Sequence, residues 1–565
     1  MIVELSPGLI LICGGLLAPL LPTRLRPWLM IVLPFVAFAH ILALPHGEFG
    51  RVQVMGLSLI TLRVDGLSLL FGYIFLIAAF LGGLYALHVR DTAQHSAALI
   101  YAGSALGAVF AGDLVTLFFF WEGIAAASVF LIWAARTEHA YRAGMRYIVM
   151  QIGSGVLLLT GILIHYWHTG SLNFGVIGLA SPAGLLILVA FGIKCAFPLL
   201  HTWLPDSYPE ATASGTVLLS SFTTKVAVYA LARSYAGTDI LVPIGAVMTA
   251  FPIFYAVIEN DLRRVLAYSL NNQLGFMVVG IGIGTELALN GAAAHAFAHI
   301  LYKGLLFMSM GAVLFRVGTV KGSELGGLYK SMPYTTGFCL VGAASISAFP
   351  LFSGFVTKSM VISAAMEGGY FWTWLVLLFA SAGVFHHAGI KIPYFAFFAH
   401  DSRKRCKEAP AHMLVAMAIA AVLCIGIGSF PSLLYSVLPF NSTYDPYSLD
   451  HVVAQVQLLF LSALAFTLLV RSGIYPPELR STNLDFDWFY RKPGRGLAVA
   501  IGRIADDAWR GLTAIGAWTA HRALGLIEQA HGPGGILART WRTGAMAFWA
   551  TMMLAAYLVL SYLRS

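Results

Sequence analysis

The sequence predicts an all-α integral membrane protein with about sixteen transmembrane helices. Two bulk observations carry that prediction. Of 565 residues, 59% are hydrophobic and only 10% charged, whereas soluble domains carry about 25% charged residues. Mean hydropathy is +0.81. The length is filled by recurring apolar runs of about 17–25 residues, the span of a bilayer helix. Continuous runs, rather than weak alternation, favour helices over a transmembrane barrel.

The runs fall in order along the chain. Two open it, at 8–22 and 27–44. The start, MIVELSPGLILICGG, has no positively charged leader, so it reads as a retained span rather than a cleaved signal. Six follow at 66–88, 97–112, 113–134, 143–166, 184–204 and 211–234. Five more lie at 239–258, 263–284, 290–315, 335–365 and 371–399. The last three are 411–431, 453–471 and 543–562. Alternate loops then separate by charge. One set holds Arg24, Arg26, Arg90, Arg136, Arg142, Arg146, Arg263, Arg264, Arg316, Lys321, Lys330 and RKRCK at 403–407. The other holds Arg51, Arg63 and Arg233. Positive residues favour the inner side, which puts both termini outside an inner (cell) membrane.

Two spans look broken. AFPLLHTWLPDSYPEA at 196–211 carries three prolines, and SAFPLFSGFVTKS at 347–359 sets Pro350 before Gly354. The tetrapeptide AFPL recurs at 196–199 and 348–351, so Pro198 and Pro350 occupy the same place in spans seven and twelve. Proline in mid-span frees backbone groups that only protein or a wet cavity can satisfy. Five spans apart is an odd number, which predicts two five-helix units of opposite orientation, at 97–234 and 235–399. N-terminal spans (1–96) precede them and accessory spans (400–471) follow. Residues 472–541 form a polar segment whose 498–529 stretch reads as an amphipathic helix on the inner membrane face or against a partner. A final span (542–565) closes the chain.

Ionisable residues lie inside these spans, each costing a few kcal/mol at mid-bilayer on insertion scales. They are Glu122 in span five, Lys194 before the first break, Lys225 in span eight and Lys358 after the second break. Lys391 stands in span thirteen near His386 and His387. AHAFAHILYKG, in span eleven, repeats His295, His299 and Lys303 every four residues, on one helical face. A helix-to-helix ion pair would also explain Glu122, and snorkelling would explain Lys391 better than Lys225. Three groups on one face at constant spacing ask for more. Roughly one acid against at least five bases disfavours a dehydrated cation site and favours protons.

Other classes find no support. The +9 formal charge sits in short loops and one late segment, which is not a nucleic-acid signal. Five scattered cysteines suggest neither disulfides nor a metal site. No cofactor motif or phosphate loop stands out.

In combination, these residues resemble the antiporter-like subunits shared by respiratory complex I, membrane-bound hydrogenases and Mrp-type cation/proton antiporters. The resemblance covers roughly residues 60–400. It rests on WE at 121–122, KCAFPLLHTWLPDSYPEA, DLRRVLAYSLNNQLGFM, HAFAHILYKGLLF and FSGFVTKSM. GIKIPYFAFF and LDFDWFYRK are similar to the branch formed by the D-type Mrp and hydrogenase subunits. The resemblance implies a fourteen-helix core with two inverted five-helix repeats. It also implies Glu122 and Lys194 as a coupling pair, Lys225 and the ladder as a relay, and Lys358 as the exit-side lysine. The implied function is proton translocation, with no cofactor, beside other membrane subunits and a monovalent cation. The D-type subunit of a cation/proton antiporter is the first expectation. A subunit of a redox-driven pump, or a membrane partner of a zinc-bearing inorganic-carbon uptake protein, remains open.

Overall fold

A computed structural model describes residues 4–475, 478–479, 483–535 and 539–564. The predicted 472–541 segment and both ends of the chain therefore include positions outside the described residues. Ten described helices are long and apolar enough to cross a membrane, and three shorter apolar helices accompany them. The chain divides into two units, residues 4–483 and 484–564 of those described.

The all-α expectation needs one correction. Residues Gly47–Val54 and Leu57–Val64 pair as an antiparallel hairpin. Its turn is Met55-Gly56, both with positive φ (51° and 80°), the two-residue geometry that matches strand twist. The second strand buries Leu59, Leu62 and Val64. A hairpin outside the long apolar runs escapes a search for spans. It is tied down by Asp113, whose carboxylate accepts from the Ile60 amide at 2.7 Å and also caps the helix Leu114–Trp133.

At the centre of the first unit stands the ladder helix, Glu286–Val317, which packs against Leu262–Ile283, Pro333–Ile346, Ser353–Glu367 and Ala411–Ser429. Its ends are well defined. Thr285 accepts from the Ala288 amide, and Gly318 closes the helix in the left-handed region. The partner helix Leu262–Ile283 is capped by Asp261, which accepts from the Arg263 and Arg264 amides.

Both proline-bearing spans are interrupted, and in the same way. One leaves helix at Cys195 and resumes at Trp203; the other leaves at Ile346 and resumes at Ser353. Ala196 and Ala348 have φ of 61° and 57°, and Leu199 and Leu351 both have 71°. The Phe197 amide donates to Gly192, and the Phe349 amide to Ala344, at 2.9 and 3.0 Å. The repeated tetrapeptide thus folds twice into one loop. Gly354 lets the second loop close, because a Cβ there would stand 1.8 Å from the Ser345 carbonyl oxygen.

A third interruption was not expected. Span eight is two helices, Ala213–Leu219 and Thr223–Ser234, parted at Ser220–Phe222. No proline marks it; the polar run Ser220-Ser221 competes for backbone hydrogen bonds instead, each hydroxyl donating to the Val217 carbonyl. Span thirteen runs as Phe371–Val384 and then passes into π-helical turns at Phe385–Lys391 and Tyr394–Phe398. The second unit holds a 39-residue helix, Pro493–His531, and the apolar helix Thr543–Tyr562. The long helix would extend about 58 Å at ~1.5 Å per residue. Almost none of its side chains is covered by its own unit.

Candidate functional site: a file of buried charges

Each membrane lysine singled out by the sequence is buried, and each finds carbonyl oxygens except one. Trp121 and Glu122, adjacent on the helix Leu114–Trp133, divide the work at the first site. The Trp121 carbonyl accepts from Lys194 Nζ at 2.6 Å, and its indole ring lies 4.5 Å from that ammonium. The indole Nε1 is anchored on Ser154 Oγ at 3.0 Å, which in turn donates to the Ala190 carbonyl. Glu122 turns to the neighbouring helix Glu138–Thr169, where Gly155 makes room for it. A Cβ at Gly155 would stand 1.7 Å from Glu122 Oε1. That oxygen is buried and has no hydrogen-bond partner among the described residues. Glu122 and Lys194 interact electrostatically. Lys194 is thus held by the Trp121 carbonyl and indole, and no hydrogen bond to the Glu122 carboxylate is present among the described residues.

Lys225 sits on the unforeseen break of span eight. Its Nζ donates to the Ser220 carbonyl at 2.6 Å and to Thr224 Oγ1 at 3.2 Å, satisfying an oxygen that the interruption exposes. Lys358 does the same at the second proline break, donating to the Ile346 carbonyl at 2.9 Å. A carbonyl released by a broken helix is a ready acceptor for a cation, which fits these two lysines; at the first proline break Lys194 instead reaches the Trp121 carbonyl of a continuous helix.

The ladder lies between them. His295 Nδ1 is 3.1 Å from Thr357 Oγ1, and its Nε2 is 3.2 Å from Gln273 Oε1. Thr357 spends its own proton on the Ser353 carbonyl, and Gln273 Oε1 only accepts. Tyr302 also donates to Gln273 Oε1, at 3.1 Å. Tyr302 Oη also lies 3.3 Å from His295 Nε2, so the ring has three polar contacts whose donor and acceptor roles follow its tautomer. His299 differs. Neither of its ring nitrogens, nor Lys303 Nζ, has a hydrogen-bond partner among the described residues, though all three are buried. Buried polar atoms normally have partners, and ordered water supplies those the protein withholds.

Electrostatic contacts join the pieces. Lys225 acts on His295, His299 and Lys303, and so does Lys358. Cys195, next to Lys194, is in turn a neighbour of Lys225. Lys391 stands apart: its Nζ meets the Ala256, Val257 and Glu259 carbonyls and pairs with Glu478 at 2.9 Å. Gln273, Tyr302 and Gly155 were not singled out by the sequence. The amide run Asn271-Asn272-Gln273 inside an apolar span was the available signal for the first. Tyr302 lies seven residues from His295, on the same helical face. No grouping of three or more His, Cys, Asp or Glu suited to a metal ion occurs among the described residues.

Residues 111–385 match the family described as NADH:quinone oxidoreductase/Mrp antiporter, TM. The chain is 28% identical over 365 residues to the D-type subunit of the Na(+)/H(+) antiporter of Alkalihalophilus pseudofirmus, covering 60% of this chain and 73% of that one. It is 27% identical over 510 residues to hydrogenase-4 component B of Escherichia coli, covering 78% and 74%. A chain of the Mrp complex from Dietzia sp. superposes with a TM-score of 0.71 at 21% identity, over 82% of this chain and 99% of that one. At that identity the likeness shows the fold alone.

Proposed function

The membrane domain of this chain belongs to the NADH:quinone oxidoreductase/Mrp antiporter family, and on that premise we propose that the chain is the proton-translocating subunit of a multisubunit monovalent cation/proton antiporter. The proton path runs in the membrane plane from Glu122 and Lys194, through Lys225 and the His295–His299–Lys303 ladder, to Lys358. One observation carries this reading: the middle of the file, His299 and Lys303, is wholly buried without protein hydrogen-bond partners among the described residues.

Such groups are stable only if something mobile satisfies them, and water is the carrier a Grotthuss chain needs. Direct hand-over fails on distance. Four residues of helix rise about 6 Å, and the His295 and His299 rings are 6.3 Å apart between centroids, beyond the 2.7–3.2 Å of a hydrogen bond. The swing of Glu122 toward or away from Lys194 sets whether that lysine keeps its proton. The two AFPL loops, with the same left-handed residues 152 positions apart in sequence, support the paired inverted repeats. The crowding of basic residues into alternate loops supports both termini lying on the outer side of the inner membrane.

The test is cation-dependent proton flux in vesicles carrying the whole complex. Glu122→Ala, Lys194→Ala and Lys303→Ala should each abolish flux while the subunits still copurify; wild-type flux in all three sinks the relay. A redox-driven pump is the second reading, favoured by the longer match to hydrogenase-4 component B, 78% of the chain against 60%. Copurified iron–sulfur subunits would select it.

A further inference from the structure

A second line of buried charge departs from the ladder. It begins at His387, in the π-helical turns Phe385–Lys391, a geometry frequent at functional sites. These turns press on the second broken helix, where a Cβ at Gly389 would stand 2.3 Å from Ser347 Oγ. His387 is 0% exposed; its ring meets the backbone of Gly383, one turn back, and bonds to no side chain among the described residues. It interacts electrostatically with Lys303, with the adjacent His386 and with Lys391.

Lys391 ends the line. Its ammonium is completely buried and bonded to three carbonyls at the end of the helix Leu241–Ile258, with Glu478 as counter-ion at 2.9 Å. The Glu478 side chain is itself 5% exposed. It comes from the segment after the helix Leu449–Arg471, and with Glu259 it lies near the start of the helix Leu262–Ile283, which carries Arg263 and Arg264, the arginine-rich side. Asn483 closes the corner by donating to Glu259 Oε2 at 3.2 Å.

A clasp alone would explain the ion pair, but not a wholly buried histidine, bonded to no side chain among the described residues, that interacts with both Lys303 and Lys391. Resting on the relay reading above, we propose that His387, Lys391 and Glu478 form a side branch of the proton path, a port from Lys303 to the arginine-rich face gated by the Lys391–Glu478 pair. The Lys303 ammonium gives one proton through water to the neutral imidazole of His387. The imidazolium passes it to the Glu478 carboxylate. The neutral acid no longer attracts Lys391, which stays charged on its three carbonyls; the carboxyl swings out and releases the proton to water. Return of the carboxylate restores the pair.

The experiment measures cation-dependent proton flux in vesicles carrying the intact complex, with copurification of the subunits as the assembly control. His387→Gln and Glu478→Gln should each lower flux on the order of 100-fold, the scale of a lost acid–base group, with assembly unchanged. Glu478→Asp, which keeps the carboxylate, should restore part of it. Wild-type flux in His387→Gln overturns the branch, and that variant decides the matter if Glu478→Gln fails to assemble. Lys303→Ala, measured in parallel, separates the two claims. If it is inactive while His387→Gln and Glu478→Gln are fully active, only the branch falls. If it too is active, the relay falls.

Discussion

Gly155→Ala is a substitution that should leave the fold intact and, on the proposed relay, stop proton flux. The new Cβ would lie 1.7 Å from Glu122 Oε1, and an ordinary contact needs about 3.4 Å or more. The carboxylate must therefore retreat by roughly 1.7 Å. It is the end of a flexible side chain, so it moves rather than the helices, and alanine is worth up to ~1 kcal/mol over glycine in a helix interior. Stability should hold or rise. Function should not, since misplacing a reacting group by about 1 Å costs on the order of 100-fold. Gly153 supplies the control: on the same helix, a Cβ there meets nothing within 4 Å. In vesicles carrying the whole complex, Gly155→Ala should lose about 100-fold in proton flux, while Gly153→Ala retains wild-type flux. Equal flux in the two variants refutes the assignment of Glu122 as the mobile end of the coupling pair.

Ala196→Gly and Ala348→Gly relieve left-handed alanines in the two matching loops, and each should stabilise the protein by about 0.5–1 kcal/mol in detergent thermal unfolding. Gln273→Leu strips His295 and Tyr302 of a shared acceptor, and should cost about 1–3 kcal/mol in the same assay. Asp65, outside the spans, caps the helix Gly66–Tyr85 and accepts twice from Arg233 at 2.8 Å. Burial pushes its pKa up, but Arg233, the Ser68 amide and Arg63 hold it below the usual value. A depressed carboxylate stabilises the fold above its unfolded pKa of about 3.9, and that contribution disappears as pH falls through the lower folded value. Asp65→Asn should therefore weaken the protein at neutral pH, with a deficit that shrinks below about pH 4.

Much of the site was legible because a membrane makes charge conspicuous. Glu122, Lys194, Lys225, Lys303 and Lys358 announce themselves in apolar runs, and the prolines of AFPL announce their breaks. The break at Ser220–Phe222 was not legible, since serine hydroxyls interrupt a helix only when the surrounding packing lets them. The hairpin before the helix Gly66–Tyr85 escaped because a scan for apolar runs passes over short alternating strands. Glu478 escaped for a different reason. Counting acids within spans left Lys391 without a partner, whereas the chain brings one in from a polar segment beyond the helix Leu449–Arg471.

The sequence alone determined that the chain is built of apolar membrane helices, which of them break at proline, and which titratable residues lie buried among them. These follow from local terms: side-chain transfer energies, proline geometry and helical period. Tertiary structure decided the pairing. It set the Trp121 carbonyl against Lys194, opened Gly155 to Glu122, gave His295 three polar contacts and left His299 with none among the described residues. Those outcomes depend on which helix faces are pressed together across hundreds of residues, and a hydrogen bond lost over a fraction of an ångström has no signature in one helix read by itself.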